Sequence, residues 1–173
     1  MTSELTYRAS ADSFVIWVSV LVSLLILGIG VGALRVAFVA TSSGLRVTGW
    51  VVLVACLSFL AAAYLYSPRG FRLSDTSVTV VRPGRDVEIP VTSVESVDPI
   101  RISLMGATRT FGNGGLFGVY GRYRNAELGP FTMYGSRLGD AVLLKTKRGS
   151  VVVTPDDGEA FTEEVRARLA DAG

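Results

Sequence analysis

The chain has 173 residues and a formal net charge of +2, from 17 Lys or Arg against 15 Asp or Glu. It has no histidine and a single cysteine, Cys56, which excludes imidazole general bases, histidine metal ligands and an intrachain disulfide. So small a net charge gives no basic field for nucleic acid.

Residues 1–12 form a short N-terminal tail, too few to fold alone. Two uncharged apolar runs follow, Phe14–Leu34 and Val47–Tyr66. At 1.5 Å per residue each reaches roughly 30 Å, the thickness of a bilayer's hydrocarbon core. The first run exceeds the roughly 7–15 residues of a signal-peptide core and lacks a basic cluster before it. The expectation for residues 13–67 is therefore an uncleaved transmembrane hairpin in the plasma membrane. Arg8, Arg69, Arg72, Arg82 and Arg85 flank one end, and Arg35 and Arg46 flank the connecting loop. The positive-inside rule then puts both termini in the cytoplasm.

Within the spans, Gly28 and Gly32 form a GxxxG pattern, and Ser58 and Ala62 repeat the spacing. Small residues let helices approach closely in lipid, so these four are the candidate packing residues, either between the two helices or with another membrane protein. Trp50, Tyr64 and Tyr66 lie where interfacial anchors are expected. The spans contain no Asp, Glu, Lys, Arg or His, which argues against transport or proton relay, and Cys56 is an inert thiol when buried in lipid.

Ser67-Pro68-Arg69-Gly70 stops the second helix. Short β-patterned segments fill the start of a soluble region over residues 70–173: Ser77–Arg82, Asp86–Val91 after the Pro83-Gly84 turn, Ile100–Met105, Thr108–Phe111 and Gly129–Ser136. Ala141–Thr146 and Ser150–Thr154 form a hairpin through Lys147-Arg148-Gly149. The period then changes. Thr154-Pro155-Asp156-Asp157 reads as a helix start, with Thr154 as N-cap and Pro155 at the first position. Phe161, Val165 and Leu169 make one apolar stripe of a helix over about 155–170, and Glu163, Glu164, Arg166 and Arg168 make its solvated face. The fold class is α+β: a transmembrane helical hairpin, then an antiparallel β-barrel or sandwich capped by a C-terminal helix.

The glycine block Phe111-Gly112-Asn113-Gly114-Gly115-Leu116-Phe117-Gly118, with Gly121-Arg122-Tyr123, Gly129, Tyr134 and Val152-Val153-Thr154-Pro155-Asp156-Asp157 followed by Phe161, resembles the bacterial pleckstrin-homology-like domain family. The resemblance covers about 50 residues strongly. It implies a PH-like domain, often membrane-anchored, and no particular reaction.

The segment Gly112–Gly121 is the unusual sequence of the soluble part. As a flexible loop it would present Asn113, Gly114, Gly115, Phe117, Tyr120, Arg122, Tyr123 and Arg124 to a ligand, with Arg137 as a further contact. Arginine beside aromatics suits phosphate or carboxylate groups. The alternative is a strand connection that needs positive φ and close backbone approach. GxGxxG spacing, a following Gly-Lys-Ser/Thr and a βαβ context are all missing, so a nucleotide loop does not fit. Asp156/Asp157 and Glu163/Glu164 suit helix capping and a solvated face better than catalysis, and nothing is placed to activate Ser103, Ser136 or Thr146.

The sequence therefore points to a non-enzymatic binding or scaffold domain without cofactor or metal. Its expected ligand is a protein partner, or a second copy, docked at the cytoplasmic membrane face. The alternatives are recognition of an anionic lipid headgroup or small ligand, and a structural subunit acting through the hairpin.

Overall fold

The computed structural model of the protein describes residues 4–103 and 107–171. The end of the predicted Ile100–Met105 strand, at Leu104 and Met105, lies outside the described residues.

Two long helices come first, α1 (Ser13–Val39) and α2 (Ser43–Leu65). Both are long and apolar enough to cross a membrane, and only 11% of the apolar window of each is buried. That exposure is the opposite of a soluble protein's core helix, and it points to membrane association. The helices extend past the predicted runs and leave only residues 40–42 between them. Arg35 and Arg46 thus lie inside helices rather than in a loop, and Arg46 Nε donates to Ala37 O at 3.4 Å. The antiparallel contact uses Gly30, Ala33 and Ala37 of α1 against α2: a Cβ added to Gly49 would stand 2.6 Å from Ala33 O. Gly28, Gly32, Ser58 and Ala62 lie on exposed faces instead. They do not make the contact within the hairpin.

Around this hairpin the chain builds two sheets. Strands β1 (Leu5–Arg8), β2 (Gly70–Leu73), β3 (Ser77–Val81) and β4 (Val87–Pro90) form the first, in that order. The second has the order β5-β9-β10-β8-β7-β6. Its strands are β5 (Val94–Ile102), β6 (Thr108–Gly114), β7 (Val119–Asn125), β8 (Gly129–Gly135), β9 (Gly139–Thr146) and β10 (Gly149–Val153). Among the described residues all pairings are antiparallel except β8 with β10, which run parallel because the β9–β10 hairpin inserts β10 beside β8. The sheets do not close into a barrel. They form a sandwich, with α3 (Gly158–Asp171) against β5 and β9.

Phe71, Leu73, Val78, Val80, Val142, Leu144, Val153, Phe161 and Val165 fill the space between the sheets and α3. The opposite face of the second sheet is also buried. Leu143, Val152, Met133, Phe131, Tyr123 and Val119 lie there with Val15 from the start of α1. Strands covered on both faces read as continuous apolar runs, which is why Ala141-Val142-Leu143-Leu144 shows no alternation.

Helix α3 starts at Gly158, later than predicted. Asp157 caps it by accepting from Ala160 N at 3.0 Å. Thr154 is buried instead, and its Oγ1 accepts from Ser136 N at 3.0 Å. Nor is Arg168 solvated: it is 7% exposed and pairs with Glu164 and, at 3.8 Å, with Asp75 in the β2–β3 turn.

Candidate functional site

The tail that precedes the hairpin is part of the sandwich. Strand β1 pairs residue by residue with β2, from Leu5↔Leu73 to Arg8↔Gly70. Tyr7 meets the Phe161 ring edge-on at 5.2 Å. Asp156 closes the tail onto the domain, accepting from Ser10 N at 2.8 Å and Ser10 Oγ at 2.6 Å, with Arg137 Nη1 at 3.5 Å. Arg137 also donates to Pro155 O, so this predicted ligand contact braces the tail–α3 junction. Asp12 then caps α1 through Val15 N at 2.8 Å and holds Leu138 N at 3.1 Å.

Burial alone would raise the Asp156 carboxyl. The Ser10 hydrogen bonds and the charges of Arg137 and Arg8 outweigh it and hold the group below its ordinary value of 3.8. The unfolded chain therefore binds this proton more readily, and stability should fall as the pH drops from 3.8 through the lowered value. Asp156→Asn abolishes that contribution. The gap in thermal midpoint between the native chain and the variant should be full at neutral pH and should shrink steadily below about pH 4.

The glycine segment is strand at both ends, and only residues 115–118 connect β6 to β7. Gly112 and Gly121 face each other across the ladder at φ +124° and +129°. A Cβ on either would sit 2.3 Å from a backbone carbonyl oxygen of the opposite strand. The tip then docks on both helices. Phe117 N donates to Ser19 Oγ at 2.7 Å, and Ser19 Oγ donates to Gly115 O at 3.2 Å. Phe117, at φ +61°, meets the Tyr64 ring edge-on at 5.8 Å. Asn113 organises the turn: Oδ1 accepts from Leu116 N and Gly115 N, and Nδ2 donates to Leu116 O and the Tyr120 hydroxyl.

This joint also solves a problem at the end of α2, where the last four carbonyls of a helix have no partner inside it. Ala62 O accepts from Tyr66 N, Tyr64 O from Ser67, and Leu65 O from Gly84 N. Ala63 O accepts from the Tyr120 hydroxyl at 2.7 Å. Burial raises the Tyr120 phenol above its ordinary value, with the Asn113 hydrogen bond and the Arg82 charge acting against it. Tyr120 is thus a neutral donor at physiological pH. Tyr123 faces the second core, with its hydroxyl donating to Asn113 O at 2.6 Å.

Of the predicted contacts, Asn113, Gly114, Gly115, Phe117, Tyr120 and Tyr123 belong to this joint. Arg122 and Arg124 project outward. Tyr120 and Arg122 share one face of β7, opposite Tyr134 and Thr132 of β8. With Tyr66, Arg82 and Phe111 they line a cleft of about 620 Å³ beside the end of α2. The Arg82 guanidinium lies 5.5 Å from the Tyr66 ring centre and 6.0 Å from that of Tyr134. Sequence reasoning missed this grouping, because Tyr66, Arg82 and Tyr134 come from three distant segments. The Phe111↔Arg122 register across the hairpin was the available signal.

No curated protein and no solved structure matches the chain. The family model of the bacterial PH domain matches residues 69–169, the whole sandwich apart from the tail strand, together with most of α3. That match spans more than half of the sequence, and the chain belongs to the bacterial PH domain family.

Proposed function

We propose that the protein is a non-enzymatic docking domain, anchored in the plasma membrane by a two-span hairpin, that takes a protein partner along the free edge of β6. Both termini would lie in the cytoplasm. In support, β1 before the hairpin pairs with β2 after it, so both ends of the hairpin leave on one side. Arg8, Arg69, Arg72, Arg82 and Arg85 lie toward that side, against Arg35 and Arg46 toward the turn, as the positive-inside rule prefers.

The observation that carries the reading is the character of β6. It is the outermost strand of its sheet, and Phe111 on it is 77% exposed. Outside the two apolar helices, the other exposed large hydrophobics among the described residues are Leu5, at 38%, and Tyr66, at 57%, the C-cap of α2. An unpaired edge offers main-chain hydrogen bonds to an added strand, and a neighbouring apolar side chain anchors it. The other edges are poorer. Strand β1 has only four residues, β4 is as short and carries Glu88 and Pro90, and α3 packs on β5.

A photo-crosslinking residue in place of Thr108 should give one discrete protein adduct in native membranes, lost in Phe111→Asp, while the same label at Glu88 on β4 gives none. An adduct of twice the chain's mass would make the partner a second copy. No adduct at Thr108, or one that survives Phe111→Asp, rejects docking at this edge.

A further inference from the structure

We propose that the strand taken up by the β6 edge is acidic: an extended segment of another protein, with Asp or Glu at positions flanking an apolar residue. This rests on docking at that edge and narrows it to one class of partner.

The first observation is the charge of the hairpin that carries the edge. Strands β6 and β7 hold three arginines, Arg109, Arg122 and Arg124, and no Asp or Glu. The whole chain has 17 basic and 15 acidic side chains, so without these three the balance is 14 against 15. The positive surplus of the molecule therefore sits on this hairpin. All three arginines are exposed. Among the described residues none of them makes an ion pair, whereas Arg72, Arg101, Arg137, Arg166 and Arg168 each meet a carboxylate. Charge left open along one edge speeds the approach of a partner of opposite sign and rejects one of like sign.

The second is the distribution of those charges over the two faces. The register with β7 shifts between Arg109 and Phe111, and Thr110 is the extra residue, its Oγ1 donating to Arg122 O at 3.0 Å. Residues two apart on a strand ordinarily share a face. Here the bulge sets Arg109 on the face of Tyr123 and Phe111 on the face of Arg122. Arg124 shares the Arg122 face and lies opposite the short Thr108. An added strand turns its side chains alternately to the two faces. Carboxylates on either face would meet a guanidinium, and an apolar residue between them would rest on the Phe111 ring, which is 77% exposed.

The third is what the edge disfavours. Two copies pairing β6 to β6 would bring both sets of arginines together, and like charges across a strand pair are destabilising. Arg109 is separated from Gly115, and Arg124 from Gly118, by about 20 Å of strand, and it is the tip of the hairpin that docks on α1 and α2. A chain laid along β6 covers that distance; a single headgroup beside the helices does not.

The test uses the full chain in native membranes, with a photo-crosslinking residue in place of Thr108 and the adduct digested and sequenced by mass spectrometry. The captured segment should have a net negative charge, with acidic residues on both sides of an apolar one. Arg109→Glu combined with Arg124→Glu should lower the yield about tenfold or more. Arg109→Lys with Arg124→Lys, which keeps the charge, should retain about half of it or more. Raising the salt from about 0.05 to 0.5 M should lower the native yield severalfold. Arg148→Glu, on the distant β9–β10 turn, should leave it unchanged. An adduct indifferent to the charge reversal, or a captured segment that is neutral or basic, overturns the acidic assignment and leaves docking at β6 standing. An adduct to a phospholipid or to a second copy overturns it as well. No adduct at Thr108 removes the docking reading itself, and this inference with it.

Discussion

Gly121→Ala is expected to separate β6 from β7. The new methyl would lie 2.3 Å from Phe111 O and 2.6 Å from Gly112 Cα. Both obstacles are backbone, so no side-chain rotation relieves the clash. The φ of +129° adds strain of its own. Together these should cost about 3 kcal/mol or more. Gly129 separates the two effects, because it also has positive φ, +66°, but meets nothing within 4 Å. Gly129→Ala should cost only about 1–2 kcal/mol. Hydrogen exchange of β6 and β7 reads the local opening free energy. Equal losses in the two variants would show that the strands do not cross this closely. Because the hairpin tip carries the contacts to Ser19 and Tyr64, Gly121→Ala should also expose the amides of residues 115–118.

Phe161→Ala should have the second large effect, about 3–5 kcal/mol. The ring is fully buried and meets both Tyr7 and Phe71, at 5.2 and 6.1 Å. It is where α3, the tail strand and the first sheet converge. Tyr7→Ala should cost less, since Tyr7 is only half-buried. The double variant should cost less than the sum of the singles by about 0.5–1.5 kcal/mol, the coupling of an aromatic pair. Strict additivity would mean that Tyr7 does not rest on Phe161 and that the tail is not part of the sandwich.

The two helices were legible because charge-free runs of bilayer length are rare outside membrane spans. Their ends were less so. Arg35 and Arg46 read as loop residues, yet a long cationic side chain near the end of a span can stay helical and reach toward water. Strands β3, β4 and β8–β10 followed from alternation or from the short turn at Gly149. Strand β1 was hidden. Leu5–Arg8 has four residues, and its partner β2 lies across the whole hairpin, so no local pattern announces the pairing.

The glycine segment carried two readings, a flexible loop or a strand connection needing positive φ and close backbone approach, and Gly112 and Gly121 fit the second, bringing two paired strands together. A signal was present: Gly112 and Gly115 mirror Gly121 and Gly118 about the Leu116–Phe117 tip, the symmetry of a hairpin. The cleft could not be read, because Arg82, Arg122 and Tyr66 are brought together only by the packing of both sheets on the end of α2. Arg137 and Arg168 carry the same lesson. Whether an arginine is free or paired is decided by tertiary neighbours, and both belong to internal ion pairs.

The tail before the hairpin and the domain after it are one folded unit, clasping both ends of the hairpin. The most direct measurement is disulfide trapping in native membranes, with Cys56→Ser as background and Thr6→Cys combined with Arg72→Cys. These positions face each other across the β1–β2 ladder, at a separation an oxidised pair can bridge. Mild oxidation should produce a rapid, near-complete intrachain crosslink, with none for Thr6→Cys paired with Ser150→Cys in the second sheet. A folded, membrane-inserted chain that fails to crosslink at Thr6 and Arg72 would show that the tail and the domain are separate and do not clasp the hairpin.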